Sequence, residues 1–286
     1  MSALRVVRPG PRTTVQDGGR TGFGHLGVPV AGAVDRAALL AANVAVGNPP
    51  EAAALEAVLG GLVLVAEGSV VLAVRGAESE VSVDGVPVDT ATTIALQAGQ
   101  ELRIGAAARG VYVYVAVAGG IVVEPVLGSR STDTLSGLGP RPLAAGDVVP
   151  IGASETPDVD LGDFTRQASD GSFGVYRGPH LALTGDEAFD LLIASAWTVT
   201  PVSDRTGLRL SGPRLPSSAD GIASEGLVPG AVQLPPDGQP IVLLANHPAT
   251  GGYPVIAVVA HADLDRASQS RPGAELRFRP AQGFSG

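Results

Sequence analysis

The densest group of chemically capable side chains lies in Thr13–Asn48 (TTVQDGGRTGFGHLGVPVAGAVDRAALLAANVAVGN), where Gln16, Asp17 and Arg20 stand among Gly18, Gly19, Gly22 and Gly24. Glycine lets backbone come close to a ligand, and an amide, a carboxylate and a guanidinium can together grip a small polar amide or acid. The same residues also suit a loop in which Asp17 pairs locally with Arg20. The spacing Gly19-x-x-Gly22-x-Gly24 is not a dinucleotide fingerprint, because no strand is expected to lead in and no helix follows at once. Asp35 has two readings: a helix N-cap contributing roughly 1 kcal/mol, or a group that orients an amide or acts as a base.

Three further clusters are candidates. Ser129–Asp133 (SRSTD) follows Gly128 and suits either an anion site or a polar turn. Ser203–Arg205 (SDR) with Glu225 and Gln233 forms another. In Asn246–Pro254 (NHPATGGYP), Gly251 and Gly252 precede Tyr253, which fits a substrate-approach loop or a tight hairpin equally well. No G-x-S-x-G nucleophile elbow is present. The four histidines, His25, His180, His247 and His261, are not spaced as a helical metal pair, so structural roles and no metal are expected.

The residue types that are missing limit the chemistry further. All 19 cationic residues are arginine. Without lysine there is no Walker-type phosphate lysine, no Schiff base and no attachment point for biotin; without cysteine there is no thiolate nucleophile and no sulfur-ligated metal. A net charge of −9 opposes binding to nucleic acid and to anionic membrane surfaces. The longest apolar runs, such as Leu62–Ala66 and Val111–Ala118, are far short of a membrane span. With no apolar signal core near the N-terminus, a cytoplasmic location is expected.

The elements that must position these groups read mostly as strands. Gly68–Val74, Glu80–Val83, Thr92–Leu96, Glu101–Ile104 and Val111–Val117 are short, β-branched and bounded by turn residues. Trp197–Pro201, Gly207–Leu210, Ala231–Leu234, Ile241–Ala245, Val255–Val259 and Glu275–Phe278 continue the pattern. Ala98–Gly105, Ala145–Gly152 and Pro272–Phe278 share a glycine turn, a polar residue and a strand, which hints at related barrel-closing hairpins. Helices are expected over Arg36–Val46, capped by Asp35 and stopped by Gly47, over Pro49 to about Val58, capped by Asn48, and over Asp186–Ser195, where Thr184 and Glu187 match a capping box. Pro150–Asp170 is the best linker. The fold expected is mainly β with a few short helices, in an N-terminal region over 1–155 and a C-terminal region over 170–286.

Taken in order, the Thr13–Asn48 block, LGSRSTDTL, SDRTGLRLSG, SEGLVPGAVQLPPDGQPIVLL and TGGYPVIAVV…DL…RPGAELRF resemble the biotin-dependent carboxyltransferase-like family. That family includes allophanate hydrolase subunit 2, the kinase-inhibitor antagonist KipA and the C subunit of 5-oxoprolinase, and the chain is also similar to part of urea carboxylase. The match runs from about Arg5 to Phe278. It implies tandem cyclophilin-like β-barrels and a KipI-like partner, which is the B subunit of 5-oxoprolinase, with the A subunit making the third member. The reaction implied is ATP-dependent opening of 5-oxoproline to glutamate by the assembled complex, with the chain inactive alone. No covalently bound cofactor is implied; ATP is used by the complex, and biotin enters only in a carboxyltransferase, on another protein.

Carried over by residue, the resemblance assigns catalysis to Gln16, Asp17, Arg20 and Asp35. It assigns substrate binding to Asn48, Ser129, Arg130, Asp133, Arg205, Glu225, Gln233, Thr250, Gly251, Gly252 and Tyr253. Where many relatives read D-x-Q-T-T-G-G-Y-P, this chain has Asn246, His247, Pro248, Ala249 and Thr250 before Gly251, so a carboxylate becomes an amide and a glutamine becomes a proline. Two alternatives to a 5-oxoprolinase component stay open. One is a regulatory protein that captures a KipI-like kinase inhibitor. The other is an allophanate hydrolase-type or carboxyltransferase subunit whose substrate is urea or another small amide.

Overall fold

A computed structural model describes residues 2–153, 171–217 and 221–281. The chain is mostly β, and it divides into two compact units. The first comprises residues 1–20 and 31–166; the second comprises 21–30 and 167–286. Most of the expected linker, residues 154–170, lies outside the described residues.

The first unit contains β1 (Ala3–Pro9), β2 (Arg12–Gln16), α1 (Arg36–Ala45), β3 (Ala54–Val58), β4 (Leu62–Ala66), β5 (Val70–Val83), β6 (Val86–Pro87), β7 (Ile94–Leu96), β8 (Glu101–Val117) and β9 (Val148–Pro150). Its main sheet runs β2-β3-β8-β4-β1-β9, and β5 pairs with β6, β7 and β8. Leu102 and Ile104 on β8 are buried while Arg103 between them is exposed, the alternation of a strand with one solvated face. From Val111 onward every residue of β8 is buried. There α1 lies against β5 and β8. Its buried Ala38, Ala41, Ala42 and Ala45 present a smooth face that lets helix and sheet approach closely.

The second unit contains β10 (Ser172–Arg177), α2 (Leu181–Thr184), α3 (Asp186–Ala194), β11 (Ala196–Val199), β12 (Gly207–Ser211), β13 (Glu225–Gly226), β14 (Ala231–Gln233), β15 (Ile241–Leu243), β16 (Thr250–Gly251), β17 (Val255–Val259), α4 (His261–Ser268) and β18 (Glu275–Pro280). Seven strands close a barrel in the order β10-β17-β14-β15-β12-β11-β18, and β13 pairs with β16 as a separate ribbon. Phe173, Trp197, Leu210, Val232, Ile256 and Phe278 are buried in this unit. Trp197 is fully buried and still satisfies its indole, donating Nε1–H to Leu192 O at 2.9 Å.

Several sequence expectations need correction. Glu80–Val83 is the end of β5, and Glu101–Ile104 with Val111–Val117 is one strand, β8. The Gly-rich and polar stretches between those pieces are bulges: the β5–β8 register shifts between Gly76 and Glu78, Glu78 and Ser79, and Ser79 and Val81. The helix expected from Pro49 to Val58 does not form. Ala54–Val58 is β3, held between β2 and β8, because burial between two strands overrides the helix propensity of an alanine run. The capping box at Thr184 is also absent: Gly185, at φ +79°, takes the N-cap position with no side-chain cap. A strand, β2, does lead into the Gln16–Arg20 block.

Asp35 caps α1 as expected, accepting the Ala38 N–H at 3.0 Å. The three repeated turns place Gly99, Gly146 and Gly273 at φ +87°, +90° and +86°. Only the third feeds a strand that closes a barrel, since β9 is a sheet edge. Among the described residues no helix is long and apolar enough to cross a membrane.

Candidate functional site

In the first unit, β2 carries Gln16 out of the sheet edge and into a buried polar cluster. Asp17 is its hub. Oδ1 accepts from Gly19 N–H at 2.8 Å, Ser129 Oγ at 2.6 Å and Ser131 Oγ at 2.5 Å, while Oδ2 accepts from Arg130 N–H at 2.5 Å. A carboxylate with this many donors is an anchor: it ties the 17–20 turn to the 129–133 loop. Backbone bonds reinforce the junction, from Thr132 N–H to Val15 O and from Ala33 N–H to Asp17 O.

Arg20 is 1% exposed. Its Nη2 donates to Ser131 O at 2.5 Å, and its Nη1 lies 4.0 Å from Asp133 Oδ2. Burial pulls the guanidinium below its ordinary range, and the charges of Asp133 and Asp17 partly offset that. Asp133 in turn folds its own loop, accepting Leu135 N–H, Ser136 N–H and the Ser136 hydroxyl. Arg130 spends its Nε on Val123 O.

Three atoms in this cluster have unspent capacity. Gln16 donates Nε2–H to Thr14 Oγ1 and Thr132 O, yet its Oε1 has no hydrogen-bond partner among the described residues. The same holds for Arg20 Nη1 and Thr132 Oγ1. All three residues are at most 2% exposed. An unspent buried polar group costs about 1–3 kcal/mol, so an acceptor, a donor and a hydroxyl on three residues of this cluster keep hydrogen-bonding capacity that the described residues do not use.

Asp35 belongs to a neighbouring network that begins two residues after Ala33. Its backbone N–H donates to Tyr114 Oη at 2.8 Å, and Tyr114 Oη–H donates to Glu56 Oε2 at 2.6 Å, which also accepts Val34 N–H at 3.0 Å. Burial first, and then the charges of Glu56 and Asp35, push the Tyr114 phenol well above its ordinary value. It therefore stays a donor to Glu56. Asn48 serves a different place: Nδ2–H reaches Asn43 Oδ1 and Val117 O, and Oδ1 accepts Gly119 N–H, pinning the turn after α1 to the end of β8.

In the second unit Glu225 faces Gly251 across the β13–β16 ribbon, and Thr250 faces Gly226. Gln233 is buried, with Nε2–H directed at Tyr253 O at 3.5 Å. A Cβ on Gly251 would lie 2.7 Å from Leu227 Cδ1 and 2.9 Å from Gln233 Nε2, so only glycine lets the loop pack on that amide. Gly252 O accepts Ile222 N–H at 2.9 Å, and the Tyr253 ring is exposed. Arg205 is buried beside the divergent segment, its carbonyl accepting Asn246 N–H at 3.0 Å. His247 is buried; Nδ1 lies 2.7 Å from Pro248 O, Nε2 has no partner among the described residues, and burial lowers its pKa.

The fold thus gathers Gln16, Asp17, Arg20, Ser129, Arg130 and Asp133 in one cluster, and Glu225, Gln233, Gly251 and Tyr253 in another. Asn48 makes its hydrogen bonds away from the first cluster. Sequence reasoning missed Thr132, Glu56 and Tyr114. The first was hidden inside a recognised block, and the others sit in strands or apolar stretches with no spacing signal. Among the described residues no group of three or more His, Cys, Asp or Glu could hold a metal ion.

Residues 26–280 match the family described as carboxyltransferase domain, subdomain A and B. The chain is 39% identical over 279 residues to the C subunit of 5-oxoprolinase from Escherichia coli strain K12, covering 96% of this chain and 90% of that one. It is 34% identical over 271 residues to the C subunit of 5-oxoprolinase from Haemophilus influenzae, covering 93% and 87%. Among solved structures, the Kluyveromyces lactis urea carboxylase superimposes with a TM-score of 0.88 at 30% identity, covering 98% of this chain and 27% of that larger one.

Proposed function

The chain belongs to the carboxyltransferase domain family, subdomains A and B, and on that premise we propose that it is the C subunit of an ATP-dependent 5-oxoprolinase complex. The complex opens the lactam of 5-oxoproline with water to give glutamate, in a cytoplasmic setting. Its other members are a KipI-like B subunit plus the A subunit. The likeness to two proteins of that name over nearly their full length supports this assignment.

The observation that supports a role in amide chemistry is the unspent trio of Gln16 Oε1, Arg20 Nη1 and Thr132 Oγ1. A lactam offers one N–H and one carbonyl oxygen. Gln16 Oε1 is matched to the first and Arg20 Nη1 to the second, where a fixed cation stabilises charge developing on the oxygen as the ring opens. Asp17 and Asp35, whose oxygens hold backbone N–H groups, keep the two loops in place in this reading. Ser129, Arg130 and Asp133 act with them, and Glu225, Gln233 and the 250–253 loop are the second unit's own substrate contacts. With no lysine, the chain cannot carry biotin. ATP is a co-substrate of the complex and need not be held here.

The test is reconstitution. The chain mixed with its two partner proteins should release glutamate from 5-oxoproline only when ATP is present, and the chain alone should release none. Gln16→Leu should lower kcat/KM about a hundredfold, as loss of one preorganised polar contact does. Glutamate from the chain alone, or none from the full set, would reject the proposal. The urea carboxylase likeness favours a second reading, transfer of a carboxyl group to a small amide; a biotinylated protein co-purifying on an avidin blot would support it.

A further inference from the structure

Arg130 serves the Asp17 cluster through its backbone, which leaves its side chain for other work. The loop that carries it is held firmly. Val122 N–H donates to Pro150 O at 3.0 Å and ties the start of the loop to β9. Val126 and Ser129 exchange backbone hydrogen bonds at 2.8 and 3.2 Å around a two-residue turn, with Leu127 at φ +52° and Gly128 at φ +78°. A leucine in the left-handed region is strained, and it persists only where the surrounding structure holds it. Here the turn delivers the Ser129 hydroxyl to Asp17 Oδ1 and the Arg130 N–H to Asp17 Oδ2.

The Arg130 side chain is anchored at one atom. Arg130 is half-buried, and its Nε–H donates to Val123 O at 2.8 Å. That bond uses one of five guanidinium donors. The two terminal nitrogens make no hydrogen bond among the described residues, and no described carboxylate pairs with them. Other arginines of this unit are provided for: Arg20 has Ser131 O and Asp133, Arg5 has Glu67, and Arg75 donates to the carbonyls of Val74, Thr90 and Ala91. A cation drawn partly out of water without a counter-charge is costly, and a guanidinium whose terminal fork is unspent matches a carboxylate in bidentate geometry. Arg20 and Arg130 hold carbonyls of the same short loop, Val126 and Ser131 for the first and Val123 for the second.

We propose that Arg130 is a specificity-determining residue of this site, its two terminal nitrogens taking the carboxylate of 5-oxoproline as a bidentate pair. The inference rests on the 5-oxoprolinase reading and deepens it, because Gln16 and Arg20 are matched to the lactam and leave the substrate's carboxylate without a partner. The Nε bond to Val123 O restricts the guanidinium before substrate arrives, so less side-chain freedom is lost on binding. The segment Ser129–Asp133 then has both roles its composition suits: a polar turn through its main chain and serines, and an anion site through one side chain. ATP is the other anion of the reaction, and the two are separable by experiment.

Kinetics of the reconstituted complex test this with 5-oxoproline and its carboxamide, in which a neutral amide replaces the carboxylate. Wild type should favour 5-oxoproline by about tenfold or more in kcat/KM. Arg130→Leu should raise KM for 5-oxoproline about 10- to 100-fold, the loss of hydrogen bonds to a charged group, and bring the two substrates within about threefold of each other. KM for ATP should change less than about threefold. Arg130→Lys, which keeps the charge but not the fork, should fall between wild type and Arg130→Leu, and it carries the test if the leucine variant fails to fold. Equal losses on both substrates would reveal a purely structural role, and a rise confined to the KM for ATP would assign the guanidinium to phosphate. Either result would overturn the inference, as would a wild type indifferent to the carboxylate. A wild-type complex that releases no glutamate would instead remove the reading beneath it. An active complex unaffected by Arg130→Leu would remove the inference alone.

Discussion

Replacing Asp17 by asparagine changes one oxygen to an amide nitrogen and leaves the shape nearly unaltered, so it isolates the carboxylate's role. In the native cluster Oδ1 serves Gly19 N–H and two serine hydroxyls, and Oδ2 serves Arg130 N–H at 2.5 Å. Hydroxyls can turn round to accept from an amide nitrogen, but backbone N–H groups cannot. With the new amide nitrogen on the Oδ2 side, it opposes Arg130 N–H; flipped, it opposes Gly19 N–H. Either orientation loses one charge-assisted hydrogen bond, about 1.5–3 kcal/mol, and leaves a buried donor facing a donor, about 1–3 kcal/mol more. Arg20 also loses one of its two nearby carboxylates. The expected destabilisation is about 3–5 kcal/mol. At roughly 2–4 °C per kcal/mol for a unit of this size, that is a fall of about 6–20 °C in the midpoint of the first unit's transition. Scanning calorimetry of Asp17→Asn beside wild type measures it. A loss under about 1 kcal/mol would refute the anchor role and return Asp17 to the candidates for direct chemistry.

Two other perturbations read separate parts of the molecule. Tyr114→Phe removes a donor from buried Glu56 and an acceptor from the Asp35 N–H, so a destabilisation of about 2–4 kcal/mol is expected in urea unfolding; a loss below about 1 kcal/mol would contradict the network. His247 has a folded pKa below its ordinary value because of burial. The unfolded chain therefore binds the proton more readily, and this contribution to stability is intact above about pH 6.5 and lost as pH falls below it. The stability difference between wild type and His247→Asn should accordingly shift by at most about 1.4 kcal/mol per pH unit between about pH 6.5 and 5. A difference that stays constant over that range would refute the assignment.

Much of this molecule can be read from local pattern, and its misreadings share a cause. The β-branched runs at Val111–Val117 and Val255–Val259 are strands because burial and propensity agree there. The Ala54–Val58 segment breaks the rule: its composition favours a helix, and only pairing with β2 and β8 makes it a strand, a fact held by distant residues. Likewise the bulges near Gly76–Val81 look like strand ends, since a local interruption does not reveal whether pairing resumes. The Gln16–Arg20 block was visible as a cluster of polar types, but the division between groups that anchor and groups with unspent bonds depends on loop 129–133, more than 100 positions away.

The parallel pairing of β10 with β18, with β11 on the other flank of β18, also governs the order in which the molecule can form. During synthesis the second unit's barrel has no closing strand until residues 275–280 have left the ribosome, and until then β10 and β11 each expose an unpaired edge. The β1–β4 and β1–β9 pairings of the first unit need nothing beyond residue 150. Truncation within β18 should therefore open a ring and produce a sticky, chaperone-dependent product, whereas most of the first unit's ladder is complete before that strand exists.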